Sequence, residues 1–137
     1  MAMQVELKRT GNMKFEATGA AKIAAVVDGP KSSGGTEEGL RPMETVLVAL
    51  ASCSAMDIVH ILAKQRQELE DLDISVTGER VDAIPSVFSD IELHYQASGS
   101  VDLAKLERAA KLSIETYCSV AAMLRGSVNI TFKCSLK

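Results

Sequence analysis

The run from residue 43 to 62, Met-Glu-Thr-Val-Leu-Val-Ala-Leu-Ala-Ser-Cys-Ser-Ala-Met-Asp-Ile-Val-His-Ile-Leu, constrains this chain more than any other segment. It reads as a helix that is apolar almost all round in its first half, and such a helix must be covered on every side. A stretch of about 20 apolar residues could also cross a bilayer, but Glu44, Asp57 and His60 lie inside this one and are costly in hydrocarbon. The helix is therefore expected inside protein, without a membrane partner. In a chain this small, a second subunit is the natural source of the missing cover. Pro42 marks the start, where its absent N–H costs nothing. The helix is expected to run to about Gln65, and the charged cluster from Glu68 to Asp73 reads as its solvated end.

The flanking segments read as strands. Residues 4–10 alternate with period two and end at Gly11-Asn12, a hairpin-turn signal. Residues 13–18 and 22–27 follow as two more strands. Residues 28–40, rich in Gly and Ser, form the segment expected to be most mobile. Residues 72–81 and 87–97 alternate about Ala83-Ile-Pro85 and should pair antiparallel. Asp102 is placed to cap a second helix, with Leu103, Leu106, Ala110, Ile114 and Tyr117 on one face. A short apolar turn at 120–124 ends at Gly126, and 128–136 is a last strand. The order βββ-α-ββ-α-β is not the alternation of a parallel βαβ protein, so the expected class is α+β, in one domain spanning 1–137.

Composition narrows the function. With 137 residues, 47% hydrophobic and 24% charged, the chain can bury a core without staples. A formal charge of −3 argues against a nucleic-acid partner, and two Tyr, three Phe and no Trp leave few stacking platforms. The polar, alternating start at residues 1–6 lacks the pattern of a signal peptide, so a reducing cytoplasm is the expected location. Three scattered Cys and two His give no metal-ligand spacing, and Ser33-Gly-Gly-Thr36 lacks the Gly-Lys-Ser/Thr ending of a phosphate loop. No cofactor or metal is expected.

The chemistry is left to Cys53 and Cys118, each in an apolar helical stretch. Asp57 and His60 share the helical face of Cys53, yet His60 lies about 10 Å along the axis, too far for a direct Cys–His pair. The Asp57 charge would disfavour a thiolate. Glu44 points about half a turn away from Cys53, so any activating cation must come from another segment or chain. Taken singly, a Cys in an apolar helix is more often core filler than nucleophile, and Cys134 in the last strand is left as such.

Read together, the segments Arg41-Pro-Met-Glu-Thr-Val-Leu-Val-Ala-Leu-Ala-Ser-Cys-Ser-Ala55 and Glu115-Thr-Tyr-Cys-Ser-Val120 resemble the OsmC/Ohr family of thiol-dependent hydroperoxide reductases. Residues 75–80, 88–94 and 128–131 extend the similarity over nearly the whole chain, and look most like the YhfA-like branch. The resemblance implies an OsmC-like fold, an intertwined homodimer with two central helices, and a role in oxidative-stress defence. It implies a peroxidatic Cys53, a resolving Cys118, a small organic hydroperoxide as substrate and a dithiol reductant such as a dihydrolipoyl group. In the peroxidases a Glu directly after the helix-opening Pro holds an activating Arg. Here Met43 follows Pro42 and Glu44 comes one position later, a rotation of about 100°. Arg9 is the loose match to the activating Arg; Lys8 could supply charge but no bidentate fork. Arg41 is a further substitute. The competing expectation is an OsmC-like protein that binds a small hydrophobic ligand or other electrophile without peroxidase turnover.

Overall fold

A computed structural model describes residues 1–137. It is a mixed α+β structure that divides into two compact units, Met1–Val46 and Leu47–Lys137.

The first unit holds an antiparallel three-stranded sheet in the order β1 (Glu6–Arg9), β2 (Phe15–Thr18), β3 (Ala25–Val27). The Gly11-Asn12 signal is answered by a turn in which the Thr10 N–H donates to Lys14 O at 2.9 Å. The segment after β3 is not loose. Asp28, 1% exposed, accepts bonds from Gly29 N (2.7 Å), Thr36 N (3.2 Å), Glu38 N (3.1 Å) and Thr36 Oγ1 (2.5 Å). One buried carboxylate thus ties both ends of a turn-rich loop together, and the Thr36 hydroxyl above all lowers its pKa to about 2. The glycines suggested mobility because turn composition does not reveal such an anchor.

Helix α1 spans Pro42–Lys64, and the division between the units falls within it. It stops earlier than its polar continuation suggested. Gln67 N–H donates to Leu62 O at 2.9 Å and Arg66 N–H to Ala63 O at 3.0 Å, while Arg66 takes a left-handed φ of 57°. That bond pair is the Schellman closure, which usually places Gly where Arg66 stands. The Glu68–Asp73 cluster is accordingly not a helix end: it opens strand β4 (Glu68–Arg80).

In the second unit β4 pairs antiparallel with β5 (Phe88–Ser100), and β5 pairs parallel with β6 (Asn129–Leu136). Between β5 and β6 the chain crosses through α2 (Leu103–Leu112), a single π turn (Ser113–Tyr117) and α3 (Ser119–Leu124). Asp102 caps α2 as expected, accepting from Ala104 N at 2.9 Å. Strand alternation sorts the sheet. Ile91, Leu93, Tyr95 and Ala97 are buried on one face, in register with Ile130, Phe132, Cys134 and Leu136, while Asp90, Glu92, His94 and Gln96 occupy the other. Leu50, Ile58 and Leu62 of α1 and Leu106, Ala109 and Ala110 of α2 complete this core. The opposite side of α1 remains apolar and open: Val48 is 47% exposed, Met56 72% and Val59 48%.

Candidate functional site

Cys53 stands mid-way along α1, half-buried, one residue before the fully buried Ser54. Cys118 is presented by the crossover. Its N–H donates to Ser113 O at 2.7 Å, five residues back, which closes the π turn. Its extended backbone then starts α3, with Sγ accepting from Ala121 N at 3.4 Å in the capping position. Arg125 locks the segment from the far side, donating from Nη1 to Ile114 O at 3.2 Å and to Glu115 O at 2.7 Å.

These placements set the Cys118 thiol beside that of Cys53. The pKa of Cys118 is pushed up to about 11, chiefly by burial, with a hydrogen bond and charge from the Cys53 thiol adding to the rise and the Ala121 N–H opposing it. Both are free thiols. A thiol with so raised a pKa stays protonated at neutral pH. Cys134 lies apart on β6, in register with Tyr95, and burial pushes it up to about 11 as well.

Around the thiols runs a buried polar chain that sequence reasoning did not find. The Tyr95 hydroxyl donates to Ser54 Oγ at 2.7 Å, and Ser54 Oγ donates to Ala51 O at 3.0 Å. Ser113 Oγ donates to Asp57 Oδ2 at 2.8 Å and lies 3.4 Å from Ser54 O. Tyr95, Ser54 and Ser113 are all 0% exposed. Burial pushes the Tyr95 phenol up to about 12, with Cys118, Cys134 and Asp57 adding to the rise. Nothing in the pattern of isolated Ser and Tyr residues announces such a chain; only the β5 register and the π turn bring them to one place. Asp57, read as a suppressor of thiolate at Cys53, serves here as the acceptor for Ser113.

Arg9, Glu44 and Arg41 belong to the first unit and are engaged within it. Arg9 Nε donates to Gly11 O and Asn12 O, both at 3.0 Å, and Nη2 reaches Asn12 Oδ1 at 3.3 Å. Glu44 Oε1 accepts from Arg41 N at 2.8 Å, closing the first turn of α1, and the Arg41 guanidinium faces Glu37 at 3.8 Å. His60 is exposed on α1 and lines a cleft of about 570 Å³ with Asp57, Ile61, Lys64, Gln65 and Tyr117.

The fold is an α+β crossover that sets two free thiols side by side, one of them buried. The model of OsmC-like proteins matches residues 35–133, and the chain belongs to that family. It is 41% identical over 131 residues to the Escherichia coli K12 protein YhfA, covering 94% of each chain. A hypothetical protein from Aquifex aeolicus has the same fold at a TM-score of 0.84 and 35% identity, covering 100% of this chain and 98% of that one. An organic hydroperoxide resistance protein OsmC from Legionella pneumophila shares the fold at a TM-score of 0.72 and 20% identity, covering 98% of this chain and 97% of that one.

Proposed function

We propose that this protein is a thiol-dependent peroxidase that reduces small organic hydroperoxides in oxidative-stress defence, in the cytoplasm. The observation that carries the assignment is the Cys53–Cys118 juxtaposition, with Cys118 buried and protonated beside a more accessible thiol. Membership of a family with structural neighbours named as organic hydroperoxide resistance proteins supports the substrate class.

Cys53, as thiolate, attacks the outer oxygen of ROOH; the O–O bond breaks, the alkoxide leaves and takes a proton from solvent to become ROH, and Cys53 becomes a sulfenic acid. Cys118 sulfur then attacks Cys53 sulfur, the S–O bond breaks, and the hydroxyl leaves as water with the Cys118 proton. The resulting disulfide is reduced by an external dithiol such as a dihydrolipoyl group, which is itself oxidised to a disulfide. A nearby thiol stops the oxidation ladder at this reversible step. Arg9 and Glu44 are the groups the family likeness assigns to activation, and each would have to give up its present local bonds to serve. The protein acts as a homodimer, a second copy covering the open apolar face of α1 at Val48, Met56 and Val59.

Consumption of cumene hydroperoxide with dihydrolipoamide as donor tests the proposal. Wild type should turn over and Cys53→Ser should not; a wild type whose thiols ignore peroxide at neutral pH overturns it. A second function, binding a small amphipathic ligand without peroxide turnover, is favoured by the cleft beside Asp57 and Lys64, where the buried Gln65 Oε1 has no hydrogen-bond partner. Stabilisation by ligand that survives Cys53→Ser would support it.

A further inference from the structure

We propose that Ser113, held by Asp57, is the positioning residue of the dithiol: it fixes the π turn that delivers Cys118 to the turn of α1 carrying Cys53. Ser113 works from both its backbone and its side chain. Its carbonyl takes the Cys118 N–H at 2.7 Å, so any shift of Ser113 moves Cys118 directly. Its hydroxyl donates to Asp57 Oδ2 at 2.8 Å and lies 3.4 Å from Ser54 O. Those two acceptors lie on α1 just after Cys53, Ser54 adjacent to it and Asp57 one helical turn on. The hook therefore joins the two cysteine-bearing segments at the point where the thiols meet.

Two features make this bond worth more than an ordinary contact. Ser113 is 0% exposed, so water does not compete for its hydroxyl, and its acceptor is a carboxylate, which strengthens the bond. The π turn also has a register of its own, and a hydroxyl at its first residue is well placed to set where its last residues fall. The fold does not depend on the hook alone. Arg125 holds the turn's carbonyls from the other side, and Leu106, Ala109, Ala110 and Ala121 anchor the helices before and after it in the core.

The consequence, which rests on the peroxidase assignment, concerns the resolving step. After the first hydroperoxide, Cys53 sulfenic acid has two fates. Cys118 can displace its hydroxyl as water and form the disulfide, or a second ROOH can oxidise it to the sulfinic acid with release of ROH. The Ser113–Asp57 hook sets the ratio between them by holding Cys118 sulfur against Cys53.

The test uses Ser113→Ala and Asp57→Ala, which delete the bond from opposite ends, with Ser113→Thr as the conservative variant. The first readout needs no peroxide: the equilibrium between the Cys53–Cys118 disulfide and dithiothreitol in purified, folded protein. Deleting a charge-assisted buried bond should lower the effective concentration of the pair on the order of tenfold, which is about 30 mV for this two-electron couple. Ser113→Thr should recover most of it. The second readout is mass spectrometry after excess cumene hydroperoxide. Both alanine variants should shift product from disulfide to Cys53 sulfinic acid, and in Ser113→Ala, which keeps the Asp57 charge beside Cys53, dimedone capture of the first sulfenic acid should proceed at the wild-type rate. Wild-type values of both readouts in either folded alanine variant overturn the proposal, as does a wild type that forms no Cys53–Cys118 disulfide in any redox buffer. A wild type that forms the disulfide with dithiothreitol but no sulfenic acid with peroxide would sink the peroxidase assignment and support the positioning role.

Discussion

Replacing Ser54 by Ala should destabilise this protein more than replacing Tyr95 by Phe, although the two changes break the same hydrogen bond. The Tyr95 hydroxyl donates to Ser54 Oγ at 2.7 Å, and Ser54 Oγ donates in turn to Ala51 O at 3.0 Å, with both residues 0% exposed. Ser54→Ala strands the phenol as a donor where water does not reach, at a cost of about 1–3 kcal/mol. Tyr95→Phe removes the donor itself and leaves Ser54 its bond to Ala51, so only a net bond of about 0.5–1.5 kcal/mol is lost. The double replacement leaves no stranded group. It should cost less than the sum of the singles, with a coupling of about 1 kcal/mol. Urea unfolding at pH 7, compared at equal m-values, reads all three differences. Tyr95→Phe costing as much as Ser54→Ala, or strict additivity in the double variant, would refute the accounting.

Four further outcomes are expected. Arg66→Gly should stabilise the protein by about 0.5–1 kcal/mol and Arg66→Val should destabilise it, because a left-handed φ of 57° suits Gly and penalises a β-branched residue; unfolding midpoints check the order. Gly78→Ala should cost about 1–3 kcal/mol by the same assay, since a Cβ there would stand 2.5 Å from Phe88 Cε1 and force the ring aside. Asp28, with its pKa lowered from 3.8 to about 2, gives stability that is present above pH 3.8 and lost as pH falls toward 2. Acid titration followed by amide exchange in residues 28–38 should show that loss in wild type and not in Asp28→Asn. Cys118, raised from 9.0 to about 11, gives stability that is present below pH 9.0 and lost as pH rises toward 11, so Cys118→Ala should make that part of the stability profile less steep, the slope due to Cys134 remaining.

Much of this architecture is written in local pattern. The period-two runs gave the strands, Pro42 the start of α1 and Asp102 the cap of α2, because each depends on neighbours close in sequence. Three features escaped. Arg66 ended α1 where no Gly announced a stop, and the charged run after it became the first residues of β4. The Asp28 anchor was invisible because its partners at Thr36 and Glu38 are chosen by loop geometry. The parallel β5–β6 pairing was hidden because α2, the π turn and α3 together make a crossover that the α+β pattern did not require. At the site the same division holds. The cysteines and their flanking residues are legible as a family likeness, whereas Ser54, Tyr95, Ser113 and the role of Asp57 arise from long-range packing of hydroxyls that carry no pattern of their own.

Peptide mapping under non-reducing conditions after one equivalent of cumene hydroperoxide tests the central claim most directly. A disulfide joining the Cys53 and Cys118 peptides, with Cys134 unmodified, is the predicted product. Recovery of both thiols free, or oxidation confined to Cys134, would contradict the account.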